Sequence, residues 1–166
     1  MKFSVFDNVL TMKTNSSISI DELVEMAENQ YLLKQDSETA RVALQAGNKE
    51  EYDRIKKLMP AVTPHALFSS ERKDNSPHTL TGLIMIDIDH NENPTLLIEN
   101  AKKIASVIFA CKSLSGNGVH LLIKYSPGSD SDFKTCYKAA MQEIEIRLKT
   151  QADGKCNNIS RLMIIN

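Results

Sequence analysis

The feature that most constrains the fold is an uninterrupted apolar run, Leu83–Ile86, which continues into Asp87, Ile88, Asp89 and His90. Such a run is typical of a strand buried on both faces. Because side chains alternate along a strand, Asp87 and Asp89 should leave it on the same face, at its end. Two carboxylates there repel each other, and a divalent cation such as Mg²⁺ or Mn²⁺ relieves that repulsion. The pattern predicts a metal site, although paired acids at strand ends also serve solubility or loop capping.

Composition sets wide limits on function. The 166 residues are 42% hydrophobic and 25% charged, which is typical of a soluble globular domain with its own core. A net charge of −1 gives no overall basic field, so any contact with nucleic acid must depend on local patches. Three scattered cysteines without a CxxC pair predict reduced thiols in a cytoplasmic setting. No apolar run is long enough to cross a membrane, so we expect no membrane partner.

The order of predicted elements indicates the fold class. Capping signals, such as the capping-box spacing of Ser19 and Glu22, and apolar periodicity predict a mostly helical lead over about residues 1–60. Strands and helices then follow in the order β-α-β-β-α-β over about 61–166, the split βαβ pattern of ferredoxin-like and RNA-recognition-like sheets. We therefore predict one α/β (α+β) domain over 1–166, in which the helical lead packs on a mixed sheet. Because the sequence stops directly after an apolar run, we also expect a fragment of a longer protein.

The loop before the third strand of this order has the composition of an anion-binding turn. Gly116 and Gly118 permit a tight turn with exposed N–H groups, and Ser115 adds a hydroxyl donor. His120 can donate to the same anion. If the strands over 82–89 and from about 119 are neighbours, this turn lies beside the two aspartates. A plain hairpin turn, and for His120 a satisfied or surface histidine, are the alternatives for these residues.

Two later residues complete the candidate site. Asp153 follows the longest predicted helix and could supply a third carboxylate to the metal, although a turn role suits it equally. Arg161 carries a planar fork that suits two-point binding of phosphate, although it could instead pair with a nearby acid. Metal ligands, phosphate donors and a further acid together outline a nucleotidyl-transfer site.

These motifs in this order resemble the archaeo-eukaryotic primase, or primase-polymerase, superfamily. The matching elements are Asp-Ile-Asp at 87–89, Ser-Gly-Asn-Gly-Val-His at 115–120, then Asp153 and Arg161. The segment 47–64, followed by Phe68 and the pair Arg72–Lys73, is similar to the VirE-type N-terminal domain of replication proteins of mobile elements and phages. The resemblance spans roughly residues 4 to 165.

The resemblance implies a role for each matching residue. The metals would be held by Asp87, Asp89 and Asp153, and the nucleotide would be bound by Ser115, Gly116, Gly118, His120, Arg161, Arg72 and Lys73. It departs at Asn158, where relatives carry an acid. It also implies nucleoside triphosphates and a DNA primer–template as partners, and a helicase region in the same longer protein.

The expected function is metal-dependent nucleotidyl transfer by a DNA primase or polymerase domain with Mg²⁺ or Mn²⁺. One alternative is a non-catalytic module of the same fold that binds nucleotide or nucleic acid, which the near-neutral charge and Asn158 favour. A further alternative is a metal-dependent nuclease, which also uses paired acids but has less need of a triphosphate site.

Overall fold

The structure is a computed structural model that describes residues 1–14, 16–126 and 130–166, without the side chains of residues 130 and 131. The helices are α1 (Ile20–Asn29), α2 (Tyr31–Gln45), α3 (Lys49–Leu58), α4 (Pro94–Ala101) and α5 (Asp130–Leu148). The strands are β1 (Lys2–Phe6), β2 (Ser16–Ser19), β3 (Ala61–Thr63), β4 (Ala66–Phe68), β5 (His78–Leu80), β6 (Leu83–Ile88), β7 (Val107–Lys112), β8 (Val119–Lys124) and β9 (Met163–Ile164). A single 3-10 turn, Gly154–Cys156, follows α5. Helices and antiparallel sheets together confirm the predicted α+β class.

The strand with the apolar run, β6, is an edge strand of a three-stranded antiparallel sheet ordered β6-β8-β7. Residues Leu83–Ile86 and Ile88 of β6 are all buried, as the unbroken run predicts. The register pairs Ile88 with Val119 and Asp87 with His120. The predicted neighbourhood of these two strands is therefore confirmed, and it fixes the aspartate beside the histidine.

The last strand does not complete that sheet. Instead, β9 pairs with β3 in a second sheet ordered β2-β1-β3-β9. The open edge of β6 is satisfied in another way: Met85 N–H donates to Nε2 of His65 (2.9 Å), and Asp153 N–H donates to the Asp87 carbonyl (2.8 Å). Because these groups already serve the edge, a fourth strand has no ladder to join there.

His65 is a structural residue, as expected for a lone buried histidine. Its ring is fully buried, 4.8 Å from the Phe133 ring between centroids. Nε2 accepts from the Met85 amide while Nδ1 lies 2.9 Å from the Asn158 carbonyl, which can only accept. The neutral ring with its proton on Nδ1 satisfies both partners. Burial lowers the pKa of His65 to about 4 despite these two contacts, so the ring is neutral at pH 7.

The helical lead begins with two strands and then forms three helices. The predicted capping box at the start of α1 is present, since Ser19 accepts from Glu22 N–H and the Glu22 carboxylate accepts from Ser19 N–H. The strand β2 and the early start of α2 at Tyr31 were not predicted, since Ser16–Ser19 is polar and Gln30 gives no side-chain cap. Within the described residues, no helix combines the length and apolarity that crossing a bilayer requires.

Candidate active site

Asp87 and Asp89 stand at the end of β6, where the sequence predicts them. Asp87 is partly buried, with its side chain 19% exposed, whereas Asp89 is exposed. Oδ1 of Asp87 is buried, and no described residue forms a well-directed hydrogen bond to it. Burial and the neighbouring charge of Asp87 raise the pKa of Asp89. The two carboxylates therefore repel each other at the end of β6.

His120 is the cross-strand neighbour of Asp87 and balances its charge. Its Nε2 lies 3.4 Å from Oδ1 of Asp87. Burial alone would raise the pKa of Asp87, but the contact and charge of His120 hold it below its ordinary value. Burial would likewise lower the pKa of His120, yet Asp87 and the Cys111 thiol raise it well above its ordinary value. The pair is thus an imidazolium beside a carboxylate at neutral pH.

Asp153 reaches the same place from the other side of β6. Its N–H bonds the Asp87 carbonyl (2.8 Å), and its own carbonyl accepts from the Tyr137 hydroxyl (3.1 Å). Oδ1 of Asp153 caps the 3-10 turn by accepting from Lys155 N–H (2.9 Å). The turn role expected as the alternative for Asp153 is therefore present, while its second oxygen, Oδ2, lies 3.7 Å from Cys156 Sγ.

A buried thiol joins the two acids. One ligating atom from each of Asp87, Asp153 and Cys156 lies within 4.8 Å of the others, and this group does not include Asp89. The Cys156 thiol donates weakly to Oδ2 of Asp87 (3.8 Å) and of Asp153 (3.7 Å). Burial and the two carboxylates raise the pKa of Cys156 to about 12, so the sulfur is protonated. The sequence signal was only the three-residue spacing from Asp153, which is too common to single the cysteine out.

The loop between β7 and β8 is a closed turn. Gly116 N–H donates to the Ser113 carbonyl (2.9 Å), and Ser113 N–H donates to the Gly118 carbonyl (2.8 Å). Gly116 has a φ of +83°, and a Cβ on Gly118 would lie 2.7 Å from Ser113 Oγ. The amide of Gly116 is therefore already bonded, which differs from the phosphate-binding role predicted for it. The Ser115 hydroxyl lies 2.9 Å from Ser113 Oγ and faces the site.

Arg161 is held in place by the segment before it. Its Nε donates to Oδ1 of Asn158 (3.1 Å), and Nη2 donates to the Lys155 carbonyl (2.6 Å). Nδ2 of Asn158 donates to the Ser160 hydroxyl (2.9 Å). Asn158 thus orients the arginine instead of supplying a carboxylate, a role that no local sequence motif predicts.

The two predicted basic residues, Arg72 and Lys73, lie in different environments. The Arg72 guanidinium donates to the carbonyls of Val9 (3.2 Å) and Ser160 (3.4 Å), and its Nε is buried without a partner. It also lies 5.5 Å from the centre of the Phe6 ring. Burial lowers its pKa. Lys73 instead forms an ion pair with Glu71 (2.6 Å) and does not line the site.

One cleft of about 490 Å³ brings most of these side chains together. We call it the main cleft. It is lined by Val9, Tyr52, Lys56, Arg72, Asp87, Asp89, Ser113, Leu114, Ser115, His120, Asn158, Ser160, Arg161, Leu162 and Ile164. Of the predicted residues, Gly116, Gly118, Lys73 and Asp153 are outside this lining, and Asp153 approaches only through its cluster with Asp87.

The helical lead supplies one wall of the main cleft. Tyr52 and Lys56 face it from α3, one helical turn apart, with the Lys56 ammonium 5.9 Å from the centre of the Tyr52 ring. In the described part of the chain, no carboxylate is within ion-pair distance of Lys56, Arg72 or Arg161. The main cleft thus contains two carboxylates together with three cations that have no acidic partner among the described residues.

Comparison with known proteins corrects the expected family. The family model described as BT4734-like, N-terminal domain, matches residues 54–166. This is a different family from the primase-polymerases, and no model of that superfamily matches, so the predicted membership is wrong. The expectations of a VirE-type domain, a mobile-element replication protein and a helicase region depended on that resemblance and lose their support. No curated protein and no solved structure matches the chain.

Proposed function

Since the chain belongs to the BT4734-like, N-terminal domain family, whose description names no reaction, we propose from the main cleft itself that the protein transfers nucleotides to a DNA primer end with the help of divalent cations. The observation that carries the proposal is the division of charge in the main cleft. Asp87 and Asp89 line it together with Arg72 and Arg161, and Asp153 lies outside the lining but close to Asp87. This combination suits a metal–triphosphate, because the carboxylates can bind the metal ion while the guanidinium groups bind the phosphate oxygens.

The acidic side fits a hard cation. Asp87 and Asp153 offer oxygens that approach each other, and Asp89 adds a third carboxylate at the rim. Among the described residues, the buried Oδ1 of Asp87 has the His120 ion pair at 3.4 Å but no well-directed hydrogen bond, and a bound cation would give it a further partner. Mg²⁺ and Mn²⁺ accept few protein carboxylates and complete their shells with water and phosphate oxygens. When bound, such cations lower the pKa of an attacking hydroxyl and neutralise a leaving pyrophosphate.

The basic side fits the phosphates. Arg72, Arg161 and Lys56 offer N–H donors, and each arginine is oriented by hydrogen bonds to neighbouring carbonyls. His120, charged beside Asp87, stabilises negative charge that develops near the acids. The Tyr52 ring gives a flat face for a base or sugar.

The free cysteines support the reducing cytoplasm as the site of this activity.

A second candidate is a module that binds nucleotide without turning it over. The observation that favours it is the thiol of Cys156, which takes the place beside Asp87 and Asp153 where a third carboxylate would strengthen metal binding. A protonated thiol is a poor ligand for a hard cation. Binding would then persist while transfer is slow or absent.

Calorimetric titration of Mn²⁺ with a deoxynucleoside triphosphate tests the metal site. We expect Asp87→Asn and Asp153→Asn each to weaken binding by at least about tenfold, the lower end of effects seen for residues that support metal ligands. Glu99→Gln, an exposed acid on α4 outside the cleft, is the matched control and should bind like the wild type. Equal binding by all four proteins would refute the assignment of the acids.

Incubation with a labelled primed template separates the reactions. Extension that needs both Mn²⁺ and nucleotides supports transfer, whereas nucleotide binding without extension supports the non-catalytic module. Shortening of the DNA in the absence of nucleotides supports the nuclease. In each case the Asp87→Asn protein must lose the observed activity.

A further inference from the structure

We propose that a second cleft next to the main one holds the sugar–phosphate backbone of a single nucleic-acid strand. This basic cleft has a volume of about 400 Å³ and is lined by Arg41, Leu44, Gln45, Lys112, Ser115, Gly116 and Asn117. The inference rests on the proposed function, because the strand would be the primer or template on which the main cleft acts. It adds a location and a chemistry of recognition that the main cleft does not supply.

The two clefts adjoin at one residue. Ser115 lines both of them, so the closed turn after β7 forms the shared rim. The other lining residues of the basic cleft come from α2, from the end of β7 and from the turn itself. A chain lying in the basic cleft therefore passes directly to the carboxylates and cations of the main cleft.

The charge of the basic cleft suits a polyanion. Arg41 and Lys112 line it, and no acidic side chain among those that the structure describes does so, in contrast to the main cleft. Among the residues that the structure describes, no carboxylate is within ion-pair distance of either cation. Because the whole chain carries a net charge of −1, this local concentration of positive charge is not a consequence of overall composition.

The turn holds Arg41 in position. Nε of Arg41 donates to the Leu114 carbonyl (3.2 Å), which leaves the terminal nitrogens free to bind another group. A Cβ on Gly116 would lie 3.3 Å from Cδ and Nε of Arg41. The missing side chain at Gly116 thus gives the arginine room to lie across the turn. The guanidinium is preorganised, which reduces the entropy lost when it binds a phosphate.

The lining also indicates which part of a strand is recognised. No aromatic side chain lines the basic cleft, so stacking of bases is not available there. Two cations and two amide side chains contact phosphate and sugar oxygens without reading sequence. A cleft of this volume accommodates one backbone, not a duplex. Binding should therefore be independent of sequence and strongly dependent on salt.

Fluorescence anisotropy of labelled oligodeoxythymidine at several salt concentrations tests the proposal. Each phosphate contact contributes about 0.7 to the slope of log affinity against log salt for single strands, so Arg41→Gln and Lys112→Gln should each reduce the slope by about 0.7. Because Arg41 also bonds the turn, Arg41→Gln could disturb it, and Lys112→Gln then tests the proposal independently. The control is Lys124→Gln, an exposed lysine at the opposite end of β8 from His120, and its slope should stay that of the wild type.

The proposal is overturned if the wild type does not bind the oligonucleotide, or if the two variants keep the wild-type slope. It is also overturned if the control loses as much, or if a blunt duplex binds equally well with the same dependence on Arg41 and Lys112. Calorimetric binding of Mn²⁺ with nucleotide to the same variants distinguishes the two proposals. Binding of nucleotide without the strand refutes only this inference, whereas binding of the strand without nucleotide refutes the proposed function.

Discussion

At the residue scale, the glycines of the turn after β7 are required by geometry before any ligand is considered. Gly118 lies so close to its surroundings that a Cβ would be 2.7 Å from Ser113 Oγ and 2.9 Å from the Ile88 carbonyl. Ile88 is the last residue of β6, so displacing it also disturbs the neighbouring Asp87. The packing of this one position links the turn to the acidic side of the main cleft.

We predict that Gly118→Ala lowers the free energy of unfolding by about 1–3 kcal/mol, the usual cost of forcing extra atoms into a packed site. Gly154→Ala is the matched control, because its Cβ would meet only Met141 at 3.8 Å, an ordinary contact. That variant should stay within about 0.5 kcal/mol of the wild type. Urea unfolding measures both, and equal stability of the two variants would contradict the prediction.

The buried His65 makes stability depend on pH. The unfolded chain protonates this histidine below about pH 6.5, whereas the folded protein does so only near pH 4. The unfolded state therefore binds more protons in this interval, and stability falls as the pH decreases, by about 1.4 kcal/mol per pH unit. Below the folded pKa this loss levels off.

Thermal or urea unfolding between pH 4 and 6.5 measures the slope. His65→Gln should be less stable at pH 7, since it disturbs the bonds to Met85 and Asn158, but should lack this part of the slope. His90→Asn is the control: His90 is exposed with a φ of 53°, which asparagine tolerates. A wild-type slope in the His65→Gln protein would show that another group is responsible.

At the element scale, β9 is docked by two buried side chains, one in the strand and one in the residue that follows it. Met163 is 1% exposed and Ile165 is 2% exposed, and Ile165 N–H donates to the Pro60 carbonyl (2.9 Å). The strand has only two residues, so its register pairs, Met163 with Val62 and Ile164 with Ala61, provide few ladder bonds. Apolar burial must therefore hold this element in place.

We predict that Met163→Ala destabilises the protein by about 2–5 kcal/mol, the range for truncating a large buried side chain. Ile146→Ala is the control, because Ile146 is 77% exposed on α5 and its truncation should change stability by less than about 0.5 kcal/mol. Denaturant unfolding compares the two. If Met163→Ala were as mild as the control, burial would not be what docks β9.

The elements also show how far sequence alone can go. The apolar run predicted β6, and the Ser19–Glu22 spacing predicted the start of α1, because both signals lie within a few residues. Neither β2 nor β5 could be predicted, because each is short and polar and is extended only through its pairing with a neighbouring strand. The pairing of β9 with β3 depends on residues about a hundred positions apart, which leave no local pattern.

Some contacts of the candidate site could likewise be predicted from the sequence, whereas others could not. The register places Asp87 beside His120, as the predicted strand order requires. The approach of Cys156 to Asp87, by contrast, depends on the backbone bond that Asp153 makes to the edge of β6. The orientation of Arg161 by Asn158 depends on a loop conformation. Motif spacing cannot specify such contacts, because they arise from tertiary packing.

At the scale of the whole molecule, the main cleft joins distant parts of the chain. Tyr52 and Lys56 belong to α3 in the lead, His120 to β8, and Arg161 to the segment before β9. A ligand that contacts all of these walls stabilises the folded state of each. At one hundred times its dissociation constant, such a ligand adds about 2.7 kcal/mol to the free energy of unfolding.

We predict that Mn²⁺ with a nucleoside triphosphate slows amide hydrogen exchange in α3 and in residues 158–162 together. The α4 helix has no residue in the cleft lining and is the internal control. Exchange measured by mass spectrometry with and without ligand gives the comparison. Protection confined to β6 and β8 would mean that the lead does not take part in binding.

The backbone bond from Asp153 to Asp87 has a consequence for synthesis of the protein. The strand that bears Asp87 and Asp89 leaves the ribosome well before residue 153, and synthesis proceeds at about 5–20 residues per second. Until the later segment emerges, the outer edge of β6 lacks this main-chain partner, and the nascent polypeptide has acids but no opposing Arg161. Under the proposed function, ligand binding therefore awaits translation of the last part of the domain, because a shorter nascent chain lacks Asp153 and Arg161.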